Sequence, residues 1–307
     1  MMTTKYINPY TDFGFKKIFG EEASKPLLMD FLNSILPEYH QIKELHFKNT
    51  EQLGVADDDR KAVYDIYCEN ELGEKFIVEL QKVKQRYFKE RTLFYTTYPI
   101  REQGEKGDWD YNLKAVYCIA ILNFTFDDRA DDADEVVHTV QLKNQNNRVF
   151  YDKLTFVYLE MPNFCKTEHE LSTQLDKWLF FIKNLEELQS IPQIFNNDVV
   201  FDQAFNKAEL AKFNRRDRDQ YEQSLKVYRD LKSALLTSRE DGYADGHEQG
   251  LQQGLEQGLK QGIEQGEYQA KLATAKNLKR LGIADEMIAE GTGLSMDEIT
   301  HLLENEP

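Results

Sequence analysis

Two stretches of strict two-residue alternation, Lys61–Glu69 (KAVYDIYCE) and Lys75–Gln81 (KFIVELQ), are joined by a few residues around Gly73. Together they leave the chain little choice but a pair of antiparallel strands. A turn centred near Leu72 pairs Glu69 with Lys75, Tyr67 with Ile77 and Asp65 with Glu79, and the opposite charges of the first pair support that register. Alternation puts Val63, Asp65 and Tyr67 on one face of the first strand and Tyr64, Ile66 and Cys68 on the other. On the second strand Ile77, Glu79 and Gln81 share a face opposite to Phe76, Val78 and Leu80.

Two carboxylates opposed mid-strand among Val, Ile and Tyr destabilise a sheet unless positive charge joins them. A divalent, oxygen-liking cation such as Mg²⁺ would serve. Such an ion acidifies a coordinated water and offsets the charge that develops in phosphodiester hydrolysis. The plainer alternative is an edge hairpin whose two acids are solvated and idle. Against it stands the local charge from Gln81 to Lys106. There Lys82, Lys84, Arg86, Lys89, Arg91, Arg101 and Lys106 outnumber Glu90, Glu102 and Glu105, in a chain of formal charge −16. The acidic total argues against broad nucleic-acid affinity, but phosphate contacts are local.

Helical and strand patterns surround the hairpin. Thr11-Asp12 starts a short helix with Phe15, Ile18 and Phe19 on one face, ended by Gly20. Ser24 is expected to cap a second helix, with Pro26 in its first turn and Leu28, Phe31, Leu32 and Ile35 as its stripe. Leu45–Phe47 is a weak strand, Tyr87–Gln103 an aromatic-rich helix that Pro99 kinks or ends, and Ala115–Asn123 a buried strand. An acidic loop is expected at Asp127–Glu135, strands at Val136–Leu142 and Leu154–Glu160, and a helix at Leu171–Leu185. From Val200 to about Leu236 the pattern reads as uninterrupted helix.

Beyond this the sequence repeats. Gly242, Gly246, Gly250, Gly254, Gly258, Gly262 and Gly266 recur every fourth residue, with Leu251, Leu255, Leu259 and Ile263 in step behind them. Glycine inside a helix costs roughly 0.5–1 kcal/mol relative to alanine, so a helix here has to recover that cost elsewhere. A flexible linker is one reading. The other is a helix that lets a second backbone approach, which makes a homo-oligomer the expectation. Its Gln and Glu residues exclude a membrane GxxxG helix. The tail Ala284–Leu303 has helix-turn-helix spacing, but its second helix is acidic, which suits docking or dimerisation better than base reading. The organisation expected is therefore a core at 1–190, a helical extension at 191–240, the glycine repeat at 241–270 and a small helical tail at 271–307.

Composition narrows the setting. Apolar residues at 41% and aromatics at 12% provide a real core. The three cysteines, Cys68, Cys118 and Cys165, form no disulfide framework. No signal-peptide core is visible at the N-terminus and the longest apolar run is far below the ~20 residues of a membrane span, so a cytoplasmic protein is expected. The histidines show no metal-ligand spacing. No phosphate-cradling glycine loop implies a nucleotide cofactor.

The hairpin acids, preceded by a helix carrying Asp12 and Lys16, resemble the PD-(D/E)XK nuclease superfamily. The blocks TDFGFKKIFG, AVYDIYC, FIVELQ, YFKERTLFYTTYPI, KAVYCIAILNF, LTFVYLEMPNF and DKWLFFIKN, in that order, resemble the Rpn family of recombination-promoting nucleases, also described as PD-(D/E)XK family transposases. The resemblance implies an α/β restriction-endonuclease-like core, a mixed central sheet flanked by helices, followed by an all-helical C-terminal extension. It implies a metal-dependent DNA endonuclease using Mg²⁺ or Mn²⁺, possessing ties to recombination or mobile elements. Asp65 and Glu79 would be metal ligands, with the Leu80 carbonyl as a third. Asp12 would be an auxiliary acid. Gln81 stands where most of the superfamily has Lys; it cannot hold a charge or take up a proton, but it can orient water. Lys16 would supply the missing charge, since strict alternation points Lys82 to the opposite face. Lys82, Lys84, Arg86 and Arg91 are the expected DNA contacts, although Arg91 and Tyr95 fit core packing equally well. A non-catalytic DNA-binding or interaction protein of the same fold, and an RNA-directed nuclease, remain alternatives.

Overall fold

The computed structural model describes residues 4–38, 40–52, 62–104, 106–126 and 134–303. Most of the expected acidic loop at Asp127–Glu135 lies outside the described residues, as does Lys61. The chain forms two compact units, Met1–Asp230 and Leu231–Pro307.

The first unit opens with α1 (Asp12–Phe19), whose N-terminus is capped by Thr11 Oγ1 accepting from the Gly14 N–H. Gly14 allows a close approach here, because a Cβ would lie 2.3 Å from the Asn8 carbonyl oxygen. α2 (Lys25–Ile35) follows, with Pro26 in its first turn. Ser24 does not cap it. Its hydroxyl donates to the Lys17 carbonyl at 3.0 Å and ties α2 back to α1.

Next come β1 (Leu45–Phe47), β2 (Glu51–Gln52), β3 (Ala62–Val63), β4 (Ile66–Asn70) and β5 (Lys75–Gln81). Then follow α3 (Phe88–Arg101), β6 (Val116–Leu122), β7 (Val137–Lys143) and β8 (Val149–Glu160). β1, β4, β5, β6, β8 and β7 form one six-stranded mixed sheet in that order, and β2 pairs with β3. β5, β6 and β8 run parallel at its centre, while β4 and β7 are antiparallel to their inner neighbours. β5 and β6 are buried on both faces, as is the second half of β8, which explains their near-continuous apolar runs.

α4 (Gln174–Asn184) and α5 (Val199–Ala208) join α1 and α2 against one face of the sheet, around Trp178, Phe181 and Phe201. On the other face α3 packs through Phe88 and Tyr98 against Tyr67, Ile77, Cys118 and Tyr158. The helix expected to run unbroken from Val200 to Leu236 is interrupted after Ala208. There the Ile7 N–H donates to the Ala208 carbonyl and the Leu210 N–H to that of Lys5, so pairing with the N-terminal segment replaces helical bonds. β8 begins at Val149, five residues before the expected Leu154. Its first residues form an edge hairpin beyond the core, with Phe150 82% exposed, and carry no burial pattern to read.

α6 (Arg215–Arg280) contributes its first turns to this unit, burying Tyr221. The Tyr221 hydroxyl accepts from the Asn8 N–H, Ser224 Oγ from the Phe13 N–H, and Lys17 pairs with Asp217, so the start of α6 holds α1 and the segment leading into it at three points. In the second unit the remainder of α6 packs with α7 (Asp285–Thr292) and α8 (Met296–Thr300) through Ala275, Ile288, Leu294 and Ile299. Among the described residues no helix is long and apolar enough to cross a membrane. The whole glycine repeat lies within α6, where a Cβ added at any of its seven glycines would meet nothing within 4 Å. Leu251, Leu255, Leu259 and Ile263 are exposed.

Candidate active site

β4 and β5 pair in the register read from the sequence, with Glu69 opposite Lys75, Tyr67 opposite Ile77 and Ile66 opposite Val78. Gly73 makes the turn with φ +79°, a left-handed conformation that a side chain would strain. The ladder ends one residue short of Asp65, where Tyr64 and Asp65 form a bend between β3 and β4. That bend changes the parity of Tyr64. Its ring packs against Tyr67 and Tyr95 on the α3 side instead of sharing a face with Ile66 and Cys68.

The bend also brings the two acids together. The Asp65 N–H donates to Glu79 Oε1 at 3.3 Å, and Asp65 Oδ2 accepts from the Leu80 N–H at 2.7 Å. Glu79 is 4% exposed. Burial, followed by the charge of Asp65, pushes its carboxyl up to about 8. Burial likewise raises Asp65, against the lowering effect of the Leu80 N–H, Lys16 and Lys82. Among the described residues the one ion pair of either acid is Arg91 Nη2 with Glu79 Oε2, at 3.8 Å.

The remaining sequence-derived residues fall at graded distances. Asp12 and Lys16 pair with each other on α1 at 3.1 Å, and both are within electrostatic reach of Asp65. Because β5 ends at Gln81, Lys82 also comes within electrostatic reach of Asp65 and Asp12, contrary to strict alternation, and burial lowers its pKa. Gln81 Nε2 donates to the Val83 carbonyl at 2.7 Å, which holds the chain as it leaves the strand. Arg91 Nη1 donates to Gln85 Oε1, and its guanidinium lies over the Tyr95 ring. Lys84 and Arg86 are exposed further along this segment, Arg86 stacked on Tyr87. Sequence reading missed Lys17 and Lys48, which line a cavity of about 320 Å³ together with Lys16 and Asp65. Nothing in their spacing marks them, because separate elements bring them together. Glu160 lies apart, as a buried acceptor for the Phe126 N–H and Asn163 Nδ2.

The donor set suits a hard divalent cation. The buried carboxyl of Glu79 and the half-buried one of Asp65 converge at one strand end, and the charge of Asp65 raises the cost of ionising Glu79. No group of three His, Cys, Asp or Glu is present among the described residues, so such an ion would complete its shell with backbone carbonyl and water.

Residues 9–238 match the family model of the PD-(D/E)XK nuclease family transposase. The chain belongs to this family. In this PD-(D/E)XK family member the match spans the mixed sheet, both helical layers and the first turns of α6. No curated protein and no solved structure matches the chain.

Proposed function

We propose that this PD-(D/E)XK family member is a divalent-metal-dependent DNA endonuclease, with Asp65, Glu79 and the Leu80 carbonyl holding Mg²⁺ or Mn²⁺. The observation that carries the reading is the pair of carboxyl groups gathered by the bend, Glu79 buried and Asp65 half-buried, which is costly in isolation and becomes favourable around a cation. A bound cation supplies positive charge against the negative charge that develops on the phosphate.

The chain's own residues do the rest. The Leu80 N–H fixes the Asp65 carboxylate, and Arg91 restrains that of Glu79. Lys16 and Lys82 add positive charge on the α1 side. Asp12 orients Lys16, and Gln81 would position water on release from Val83. Lys82, Lys84, Arg86 and Arg91 would track the DNA backbone. A homo-oligomer formed through the glycine repeat, a cytoplasmic setting, a role in recombination or mobile elements, and the division at residues 190, 240 and 270 complete the reading. The engaged amide of Gln81, in the position of the usual lysine, favours the non-catalytic DNA-binding alternative.

One experiment separates the two. Purified wild type and Asp65→Ala are incubated with supercoiled plasmid and Mg²⁺ or Mn²⁺, with chelator as control. Metal-dependent nicking by the wild type alone is expected; equal activity in both proteins, or none in the folded wild type, overturns the nuclease reading.

A further inference from the structure

The outer face of the first half of α3 carries a cavity of about 560 Å³, lined by Arg86, Tyr87, Glu90, Arg91, Phe94 and Tyr95. Tyr87, Arg91, Phe94 and Tyr95 are spaced to share one face of the helix. Two of these aromatics are spent on water rather than on the core, with Tyr87 61% and Phe94 46% exposed. Their surroundings fix them. Phe94 stands edge-on to Tyr98 with centroids 5.4 Å apart, and the Arg86 guanidinium lies 5.3 Å from the Tyr87 ring centre. Arg91 lies 4.9 Å from the ring centre of Tyr95 and also pairs with Glu79, so a single side chain joins this cavity to the carboxylate pair.

We propose that this cavity is a stacking site for an unpaired nucleobase of the strand being cut, so that the enzyme prefers DNA with single-stranded nucleotides beside the scissile phosphate. The inference rests on the nuclease reading given above. Flat aromatic faces interleaved with guanidinium groups are the surface that nucleobases stack on, and such stacking is indifferent to base identity. Charge selects the occupant. From residue 82 to 91, Lys82, Lys84, Arg86, Lys89 and Arg91 face a single acid, Glu90, in a chain of net charge −16. An apolar protein partner would have no need of that concentration of cations, whereas a phosphodiester strand does. A base inside a continuous duplex would have to leave its stack to reach the cavity, and an overhang, gap or loop offers one already free.

The test uses the full chain carrying Asp65→Asn, to prevent cleavage, and labelled short oligonucleotides in chelator, read by fluorescence anisotropy. The single strand is expected to bind more tightly than its blunt duplex. A Tyr87→Ala/Phe94→Ala variant should lose about 10-fold or more in affinity for the single strand and leave duplex binding unchanged. Both side chains are exposed, so the fold should survive their truncation, and Tyr87→Phe should retain affinity because it keeps the ring. Equal losses on both probes, an unchanged single-strand affinity, or no binding of the single strand by the parent overturns the proposal; in the last case the patch belongs to a protein partner. Plasmid nicking by the unmodified chain, run in parallel, keeps the two ideas apart. Nicking without a single-strand effect sinks the stacking site alone, whereas a single-strand effect without nicking sinks the nuclease reading and with it the preference at a scissile phosphate, leaving only a single-strand binding site.

Discussion

Asp65 and Glu79 hold each other through the neighbouring backbone: the Asp65 N–H donates to the Glu79 carboxylate, and the amide next to Glu79, that of Leu80, donates to the Asp65 carboxylate. The two acids are thereby fixed in position by the backbone, and ionising Glu79 beside Asp65 is costly to the fold. Pre-organisation of this kind is what a metal site requires, because the cost of placing the ligands is met during folding.

That burden has a pH signature. The Glu79 carboxyl titrates near 8 in the folded chain and near 4.5 when unfolded, so between those values the folded state holds a proton that the unfolded state has released. The stabilisation is complete below the lower value and is lost as pH rises toward the upper. In chelator, wild-type stability should fall by roughly 2–4 kcal/mol between about pH 5 and pH 8, with Asp65 adding in the same direction. Glu79→Gln should flatten the profile. Denaturant titrations at several pH values measure it, and parallel curves for the two proteins would contradict the assignment.

Divalent cation should reverse the loss. At about 100 times its Kd, Mn²⁺ or Mg²⁺ should add ~2.7 kcal/mol to stability, visible as a rise in melting temperature. The rise should vanish in Asp65→Ala and weaken as acid protonates Glu79. A rise that persists in Asp65→Ala would place the ion elsewhere.

Lys16 and Lys82 both favour the charged form of Asp65, but Lys16 is about half exposed and committed to Asp12, whereas Lys82 is partly buried within electrostatic reach of Asp65 and Asp12. A charge shielded from water acts more strongly on a nearby phosphate. Under single-turnover conditions Lys82→Ala should therefore slow cleavage by about 10-fold or more, and Lys16→Ala by less. The reverse ranking would restore Lys16 as the stand-in for the missing lysine.

The fold's integrity rests on Trp178, which is fully buried among Phe19, Phe31, Phe181 and Phe201 while its Nε1 donates to Asp30 at 2.6 Å. Trp178→Ala should destabilise the first unit by about 3–5 kcal/mol, chiefly through lost packing, with Asp30 losing one hydrogen bond and keeping that from Gln174. Urea unfolding provides the check. A loss below ~1 kcal/mol would mean that the cavity collapses or fills.

The hairpin was legible because two-residue alternation and one charge pair, Glu69 with Lys75, jointly fix a register. The bend at Asp65 was not, since it depends on where Tyr64 finds a pocket, among Tyr67 and Tyr95 from a helix some thirty residues later in the chain. The same holds for Lys17 and Lys48, placed by elements that no local pattern relates. The break between α5 and α6 escaped notice because the competing hydrogen bonds come from residues 5 and 7, at the far end of the sequence. Local periodicity reads strands and helix faces; contacts distant in sequence decide where an element stops and which way a side chain at its end turns.

The glycine row of α6 offers a test in which stability and association move in opposite directions. In a lone chain a methyl group added at Gly250, Gly254 or Gly258 meets nothing within 4 Å, so each alanine should favour the helix by ~0.5–1 kcal/mol. A second copy seated on that row would be pushed away by the same methyls, and the exposed Leu251, Leu255 and Leu259 beside it would lose their cover. The triple alanine variant should therefore retain its helicity to a higher temperature and yet dissociate at concentrations where the wild type assembles, as measured by circular dichroism and sedimentation velocity. A wild type that sediments as a monomer throughout, or a variant that assembles as well as the wild type, would leave the repeat without a role in self-association.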